Sequence, residues 1–324
     1  MSTICGCLTL GALYWRNPEA MLTTPESPAD LAQVKPQSVK SSNVTASESS
    51  RTAVDWIRIP RVHEEGLCPN KVRAGDQLDG GWWICQGTHV RPDCVVYSFG
   101  IRDNFSFDHY MVHQHQCVVH GFDPSPDGLA SMAAYELNGT AAYHSYGLGS
   151  TDGTFGPGKV PFRWPGLGYL ADTNTRPWEL KRLPTIMREL QTTKLTILKV
   201  DVEGAEWDML PDLIHADWEE AYMELHFPPS EYELSSTPAA TTTSSTTTTT
   251  TDNSTTGSSS VEVMEIRKIK NPSRSHPLQR FPEQNVEPID RIAILQNLLH
   301  VADVFHWDTN GKHCLEVYFV RKQV

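Results

Sequence analysis

The sequence predicts an α/β fold, a doubly wound and mostly parallel sheet that ends in an antiparallel C-terminal hairpin. Three observations point there. Short β-branched apolar runs end in glycine or an acid and are followed by helical periodicity, which is how buried parallel strands with crossover helices read. The segment from Cys94 to Asp123 makes one strand–turn–helix–strand unit, with an acid 23 residues past Gly100. The chain closes on two apolar runs, 301–307 and 314–320, flanking Asp308-Thr309-Asn310-Gly311. Asn-Gly is the strongest short hairpin signal.

The central stretch is Thr196 to Trp207, in which an apolar run meets Asp201, Glu203 and Gly204 before a helical pattern at Trp207, Leu210, Leu213 and Ile214. Ligands of open α/β sheets bind outside the carboxyl ends of the strands, where Asp201 and Glu203 fall. The plainer alternative is that Asp201 caps the helix and Glu203 is solvated.

Taken in order, residues 1–53 begin mildly apolar with Cys5 and Cys7, a poor signal peptide, and continue as a Ser/Thr/Pro-rich segment expected to be disordered. The folded domain is expected over 54–234 and 261–324. Gly81-Trp82-Trp83-Ile84-Cys85 reads as a short strand whose tryptophans face opposite sides, one into the core. Cys94–Gly100 is a buried strand, Ser106–Val112 a helix, and Cys117–Pro124 a strand ending in Asp123. An acid at that position accepts hydrogen bonds from a ribose in nucleotide-binding α/β domains; the alternative is an Asp-Pro turn starter. Residues 141–149 read as a strand and loop, 151–165 as a Gly/Pro-rich surface loop, and 183–190 as a short amphipathic helix.

Glu220–Phe227 is the next strand. Glu224 and His226 are two residues apart and share a face. If this strand neighbours the central one, Asp201, Glu203, Glu224 and His226 converge at one edge, as a ligand site or as a Glu224–His226 pair that fixes a loop. Residues 235–260 are Ser/Thr-rich, with an unbroken threonine run from Thr246 to Thr251, and are expected to be a low-complexity insertion. Ile292, Leu295, Leu298 and Leu299 fit one helical face.

Composition bounds the function. The formal net charge is −12, which argues against a nucleic-acid backbone as partner. The basic cluster at Arg267, Lys268 and Lys270 reads as a solvated loop. No run reaches the roughly 18 apolar residues of a membrane span. Seven cysteines in 324 residues read as no disulfide framework, with at least one unpaired, and no C-x-x-C pair suggests zinc. Four Asn-x-Ser/Thr sequons, at Asn43, Asn104, Asn138 and Asn253, favour a secretory over a cytoplasmic location only weakly.

Val-Tyr-Ser-Phe-Gly-Ile at 96–101, His-Gly-Phe-Asp-Pro at 120–124, Leu-Lys-Val-Asp-Val-Glu-Gly-Ala-Glu-Trp at 198–207 and Glu-Leu-His at 224–226 give the chain a resemblance. In this order they resemble the methyltransferase-like proteins, a group similar to FkbM-type S-adenosylmethionine-dependent methyltransferases. The resemblance implies a class I methyltransferase (Rossmann-like) fold, seven strands with the last antiparallel. It implies that Tyr97, Ser98, Phe99 and Gly100 take the place of the methionine-binding loop, although one glycine stands where that loop is usually glycine-rich. Asp123 would bind the cofactor ribose, Gly147 and Leu148 would lie by the adenine, and Asp201 would face the methionine end or the acceptor.

The expected activity is O-methylation of a small molecule or sugar by S-adenosylmethionine. His226 or Glu224 would be the base and Asp201 the orienting group. A metal on Asp201, Glu224 and His226 is conceivable, but the metal-free arrangement is the expectation. The rival readings are a catalytically inactive binding module of the same fold and an NAD-dependent oxidoreductase. The missing Gly-x-Gly-x-x-Gly and the closing hairpin count against the oxidoreductase.

Overall fold

The structure is a computed structural model, and it describes residues 56–60, 64–77, 80–125, 128, 130–131, 141–156, 177–227, 232–238, 262–269, 290–310 and 314–323. All of them lie in the unit Thr52–Val324. The first elements are β1 (Trp56–Pro60), α1 (Glu64–Leu67), β2 (Lys71–Ala74), β3 (Trp82–Cys85), β4 (Val95–Phe99), α2 (Ser106–His115) and β5 (Val118–Phe122). Then follow β6 (Ala141–His144), β7 (Gly147–Leu148), β8 (Gly153–Phe155), β9 (Trp178–Lys181), α3 (Leu183–Glu189), β10 (Leu195–Val200), α4 (Glu206–His215) and β11 (Trp218–His226). The last are β12 (Tyr232–Pro238), β13 (Glu262–Lys268), α5 (Arg291–Val301), β14 (Ala302–Asn310) and β15 (Cys314–Arg321).

Seven strands form the central sheet in the order β14-β15-β11-β10-β4-β5-β6. The pairings β11–β10, β10–β4, β4–β5 and β5–β6 are parallel. β15 runs antiparallel to both β11 and β14. The expected α/β sheet with one antiparallel strand is therefore present. β14 extends through Asn310, which pairs with Cys314, so Asp308, Thr309 and Asn310 belong to the strand rather than to the turn at 308–311 that the sequence suggested, and residues 311–313 separate the paired ends. Those three residues lie outside the described set.

Each face of the sheet carries its own core, because alternate strand residues point to opposite sides. Tyr97, Phe99, Leu198, Val200 and Met223 join one cluster, shared with α3, α4 and α5. Val96, Ile197, Tyr222 and Tyr318 join the other, shared with α2 and the β2–β3 hairpin. The helical stripe read from sequence is the buried one: Trp207, Leu210 and Leu213 are all within 1% of full burial. Such burial contributes roughly 1.5–3 kcal/mol per large apolar side chain. Trp82 enters the core while Trp83 stays partly exposed and donates its indole N–H to Asp308 Oδ2 at 3.3 Å.

Two expectations need correction. Four cysteines do pair, as Cys68–Cys85 and Cys94–Cys117, and Cys314 is the free cysteine among the described residues. Counting cysteines against chain length misses this, because the partners are brought together by tertiary structure. Cys94 and Cys117 each immediately precede one of the neighbouring strands β4 and β5, and Cys85 ends β3. The second correction concerns Ser235–Pro238, the start of the Ser/Thr-rich stretch. These residues belong to β12, which pairs with β13, and β13 in turn pairs with β1. The Ser235 and Ser236 side chains are exposed, and backbone pairing with β13 holds this end of the strand. Residues 239–260 of the stretch, the N-terminal segment 1–53, and the sequons at Asn43, Asn138 and Asn253 fall outside the described residues.

Candidate active site

In the sheet order, β4 leads outward through β5 to β6, and β10 leads the other way through β11. The direction of winding therefore reverses between β4 and β10, which is where a doubly wound sheet opens a crevice at its carboxyl edge. The residues leaving that edge are Gly100 after β4, Asp123 after β5, Asp201 after β10 and Phe227 after β11.

The β4 and β10 ends meet at backbone level. Asp201 N donates to Phe99 O at 3.2 Å, and Gly100 N donates to Phe122 O at 3.0 Å. Gly100 has φ +75°, and a Cβ there would run into the Asp201 carbonyl oxygen. Glycine is required for both reasons. The buried Lys199 ammonium sits behind this turn and donates to Phe99 O (3.1 Å) and Gly100 O (2.9 Å). Asp108 lies in the first turn of α2, fully buried near Lys199 and Ser98; burial pushes its carboxyl up to about 6.

Asp123 is 5% exposed, and its carboxylate binds the loop beyond Gly100 and its own turn: Oδ2 accepts from Arg102 N at 2.6 Å and Oδ1 from Ser125 N at 2.8 Å. Of the two alternatives read from sequence, the turn is what these contacts show. A cleft of about 460 Å³ opens beside this loop, lined by Asp76, Asp103, Asn104, Phe105, Ser106 and His109. Asn104 is held there by Asp76 and by Ser106 N, so its side chain serves the start of α2.

The acidic edge assembles as expected. β10 and β11 are neighbours, and Val200 pairs with Met223. His226 Nε2 lies 3.5 Å from Glu203 Oε2 and 3.9 Å from Glu224 Oε1. Donor atoms of Asp201, Glu203 and His226 all lie within 4.8 Å of one another, and the same holds for Glu224, His226 and Cys314. Glu206, fully buried, fixes the histidine from behind. Its carboxylate accepts from Gly204 N (2.8 Å) and His226 N (2.7 Å) and meets His226 Nδ1 at 3.1 Å. Trp207 Nε1 closes the arrangement by donating to His226 O at 2.6 Å.

Electrostatics separate the two candidate bases. Burial opposes a charge on His226, but hydrogen bonds to Cys314 and Glu206 outweigh it and hold the imidazole well above its ordinary value. Burial first, and then the Asp201 carboxylate, push Glu224 up to about 8. Burial raises Glu203 as well, with Asp201 adding to it. Glu224 also stands opposite Glu316 across β11 and β15.

The cofactor residues implied by resemblance divide. Gly100 lies at the crevice. Tyr97, Ser98 and Phe99 lie inside β4 with buried side chains, and the Tyr97 hydroxyl donates to Thr192 Oγ1 at 2.7 Å near the opposite end of the sheet. Strand alternation, which a motif match ignores, puts their side chains in the two cores. Gly147 packs on Pro124, beside Asp123, and Leu148 is buried in the core. Sequence reasoning did not single out Glu206, Lys199, Asp108 or Cys314. Glu206 stands within the quoted central motif, but only the fold shows its tie to a residue 20 positions away.

A family model described as a methyltransferase domain matches residues 37–253. No curated protein matches. Among solved structures, the N-terminal domain of EvdMO1, crystallised with SAH and D-fucose, is similar at TM-score 0.33 and 10% identity, covering 71% of this chain and 76% of that one. A protein of Listeria monocytogenes described as an S-adenosylmethionine dependent methyltransferase gives TM-score 0.33 and 8% identity, covering 72% and 92%. An rRNA methylase from Streptococcus thermophilus gives TM-score 0.25 and 5% identity, covering 56% and 90%. The assignment rests on the family model, which spans 217 of the 324 residues, and by it the chain belongs to the methyltransferase-domain family.

Proposed function

We propose that the protein is an S-adenosylmethionine-dependent methyltransferase that methylates a hydroxyl of a small molecule, a sugar being one such acceptor. The observation that carries this is the meeting of Gly100, Asp123, Asp201 and Glu224 around one crevice at the reversal of the sheet. The residues fit the cofactor. The Gly100 turn leaves no room for a side chain, a carboxylate ends β5 at ribose position, and an acidic edge suits a ligand carrying an ammonium and a sulfonium. The bound cofactor supplies a methyl group made electrophilic by its sulfonium.

The chain's own residues do the rest. Lys199 and Asp123 hold the turn that would seat the cofactor. Asp201 stands at the Gly100 crossing and orients the acceptor. Glu224 would take the acceptor's hydroxyl proton, freeing the oxygen to receive the methyl group that the bound cofactor would supply. A carboxyl held near 8 is matched to proton transfer close to neutral pH. The net charge of −12 and the acidic edge disfavour an RNA acceptor. No described helix is long and apolar enough to cross a membrane. The two disulfides favour an oxidising compartment.

Calorimetric titration with S-adenosylmethionine and with NAD, followed by a methyl-transfer screen over sugars, phenols and carboxylates, tests the reading. Binding of the first but not the second, with turnover on a hydroxyl compound, is expected. Binding of NAD alone would overturn it in favour of an oxidoreductase. Cofactor binding without any turnover would leave a non-catalytic binding module.

A further inference from the structure

The same edge holds two ligand-capable side chains, Glu203 and His226, that the proposed methyl transfer does not use, beside Asp201, which it does. We propose that Asp201, Glu203 and His226 form a site for one divalent cation of the Mn²⁺ type, which would hold the acceptor oxygen; the inference about the acceptor rests on the methyltransferase reading, and the site itself does not.

Three features of the geometry support it. First, the ligand-capable atoms of the three residues lie within 4.8 Å of one another, and His226 Nε2 is 3.5 Å from Glu203 Oε2. Donors at about 2.1 Å from one ion stand roughly 3 to 4 Å apart. Small side-chain rotations bring the three onto one centre. Second, the histidine is oriented in the manner of a metal ligand. Its Nδ1 faces the fully buried Glu206 carboxylate, which is itself held by Gly204 N, so Nε2 is aimed at the acidic edge. A carboxylate behind the far ring nitrogen is the usual outer partner of a ligating imidazole. Glu206 belongs to the support, not to the ligands. Third, the cluster is chemically mixed. An imidazole nitrogen joins carboxylate oxygens from the loop after β10, and the Cys314 thiol stands on the next strand, across from His226. A merely solvated acidic surface has no reason to bury a histidine among its carboxylates; the His226 side chain is 8% exposed.

Two carboxylates and one imidazole leave coordination positions open. Carboxylates suit hard ions and imidazole suits borderline ones, and Mn²⁺ accepts both. The ion replaces the proton on Nε2, which leaves to solvent. A cation there would lower the charge repulsion at the edge and would polarise a bound hydroxyl. Glu224, 3.9 Å from Nε2, stays beside the ion as the proton acceptor.

The test is Mn²⁺ titration of the metal-stripped full chain without cofactor, read by the electron paramagnetic resonance of free Mn²⁺. One bound ion per chain is expected. Glu203→Gln, whose side chain is half exposed and tolerates the change, and Asp201→Asn should each weaken binding at least tenfold. Glu219→Gln, a carboxylate at the other end of β11, should leave binding unchanged. Absence of stoichiometric Mn²⁺ binding, or binding that Glu203→Gln and Asp201→Asn both leave intact, overturns the site. S-adenosylmethionine affinity, measured separately on metal-stripped protein, judges the methyltransferase reading on its own, so the two can fail independently.

Discussion

Replacing Glu206 by alanine isolates the interaction that shapes the acidic edge. The carboxylate is fully buried and serves three groups: Gly204 N, His226 N and the His226 ring. Alanine leaves two backbone N–H groups and a charged imidazole without this partner, in a place water does not reach. Breaking a buried pair by removing one member costs about 3–5 kcal/mol, because the other charge remains buried. The unsatisfied N–H groups push toward the upper end. For a domain of this size each kcal/mol lowers Tm by about 2–4 °C, so a fall on the order of 10 °C is expected. Urea melts give the free energy directly. Glu206→Gln is the control. Its carbonyl oxygen still accepts one N–H, so it should cost clearly less than alanine while removing the charge. A Glu206→Ala loss below about 1 kcal/mol would show that the arrangement behind His226 carries no strain, and the reasoning would fail.

Other outcomes follow from the same structure. Glu224 holds its proton until about pH 8, so kcat/KM should rise with pH through that value, and Glu224→Gln should remove this limb and lower turnover by a factor of about 10² to 10⁴. The raised value also makes the Glu224 contribution to stability present below the ordinary carboxylate range and lost as pH rises through about 8; thermal melts of wild type and Glu224→Gln against pH should converge at low pH. Gly100→Ala should cost roughly 1–2 kcal/mol from its φ of +75° alone and more from the collision with Asp201, with cofactor affinity falling as well; unchanged affinity by calorimetry would detach that turn from the site. Asp123→Ala should weaken S-adenosylmethionine binding by roughly 1–3 kcal/mol, and equal affinity in the folded variant would leave only its turn role. Mapping under non-reducing conditions should recover Cys68–Cys85 and Cys94–Cys117, and replacing either pair by serine should cost about 2–5 kcal/mol.

The sequence by itself determined the strands at the centre of the sheet, the helix after Gly204 and the antiparallel close. These are local matters. Side-chain periodicity and turn chemistry are written within a few residues of where they act, so Leu195–Val200 reads as buried strand and Trp207, Leu210 and Leu213 as one helical face. Convergence of Asp201, Glu203, Glu224 and His226 was legible too, but only on the condition that two strands are neighbours. Tertiary structure supplied that condition, placing β11 beside β10. It also decided what each residue of the edge can do. Glu206 and His226 are 20 positions apart, and Cys314 is 88 beyond His226. No local pattern announces that these three groups share one buried space. Against the opposing effect of burial, hydrogen bonds to Cys314 and Glu206 raise the His226 imidazole, while burial and the Asp201 carboxylate raise Glu224. In the same way the family resemblance puts Tyr97–Gly100 in the place of a binding loop, yet strand alternation sends Tyr97 and Phe99 into one core and Ser98 toward the other, leaving Gly100 at the end of the strand. A motif records which residue types recur, while burial and pairing, set by the whole chain, decide which of their atoms face a ligand.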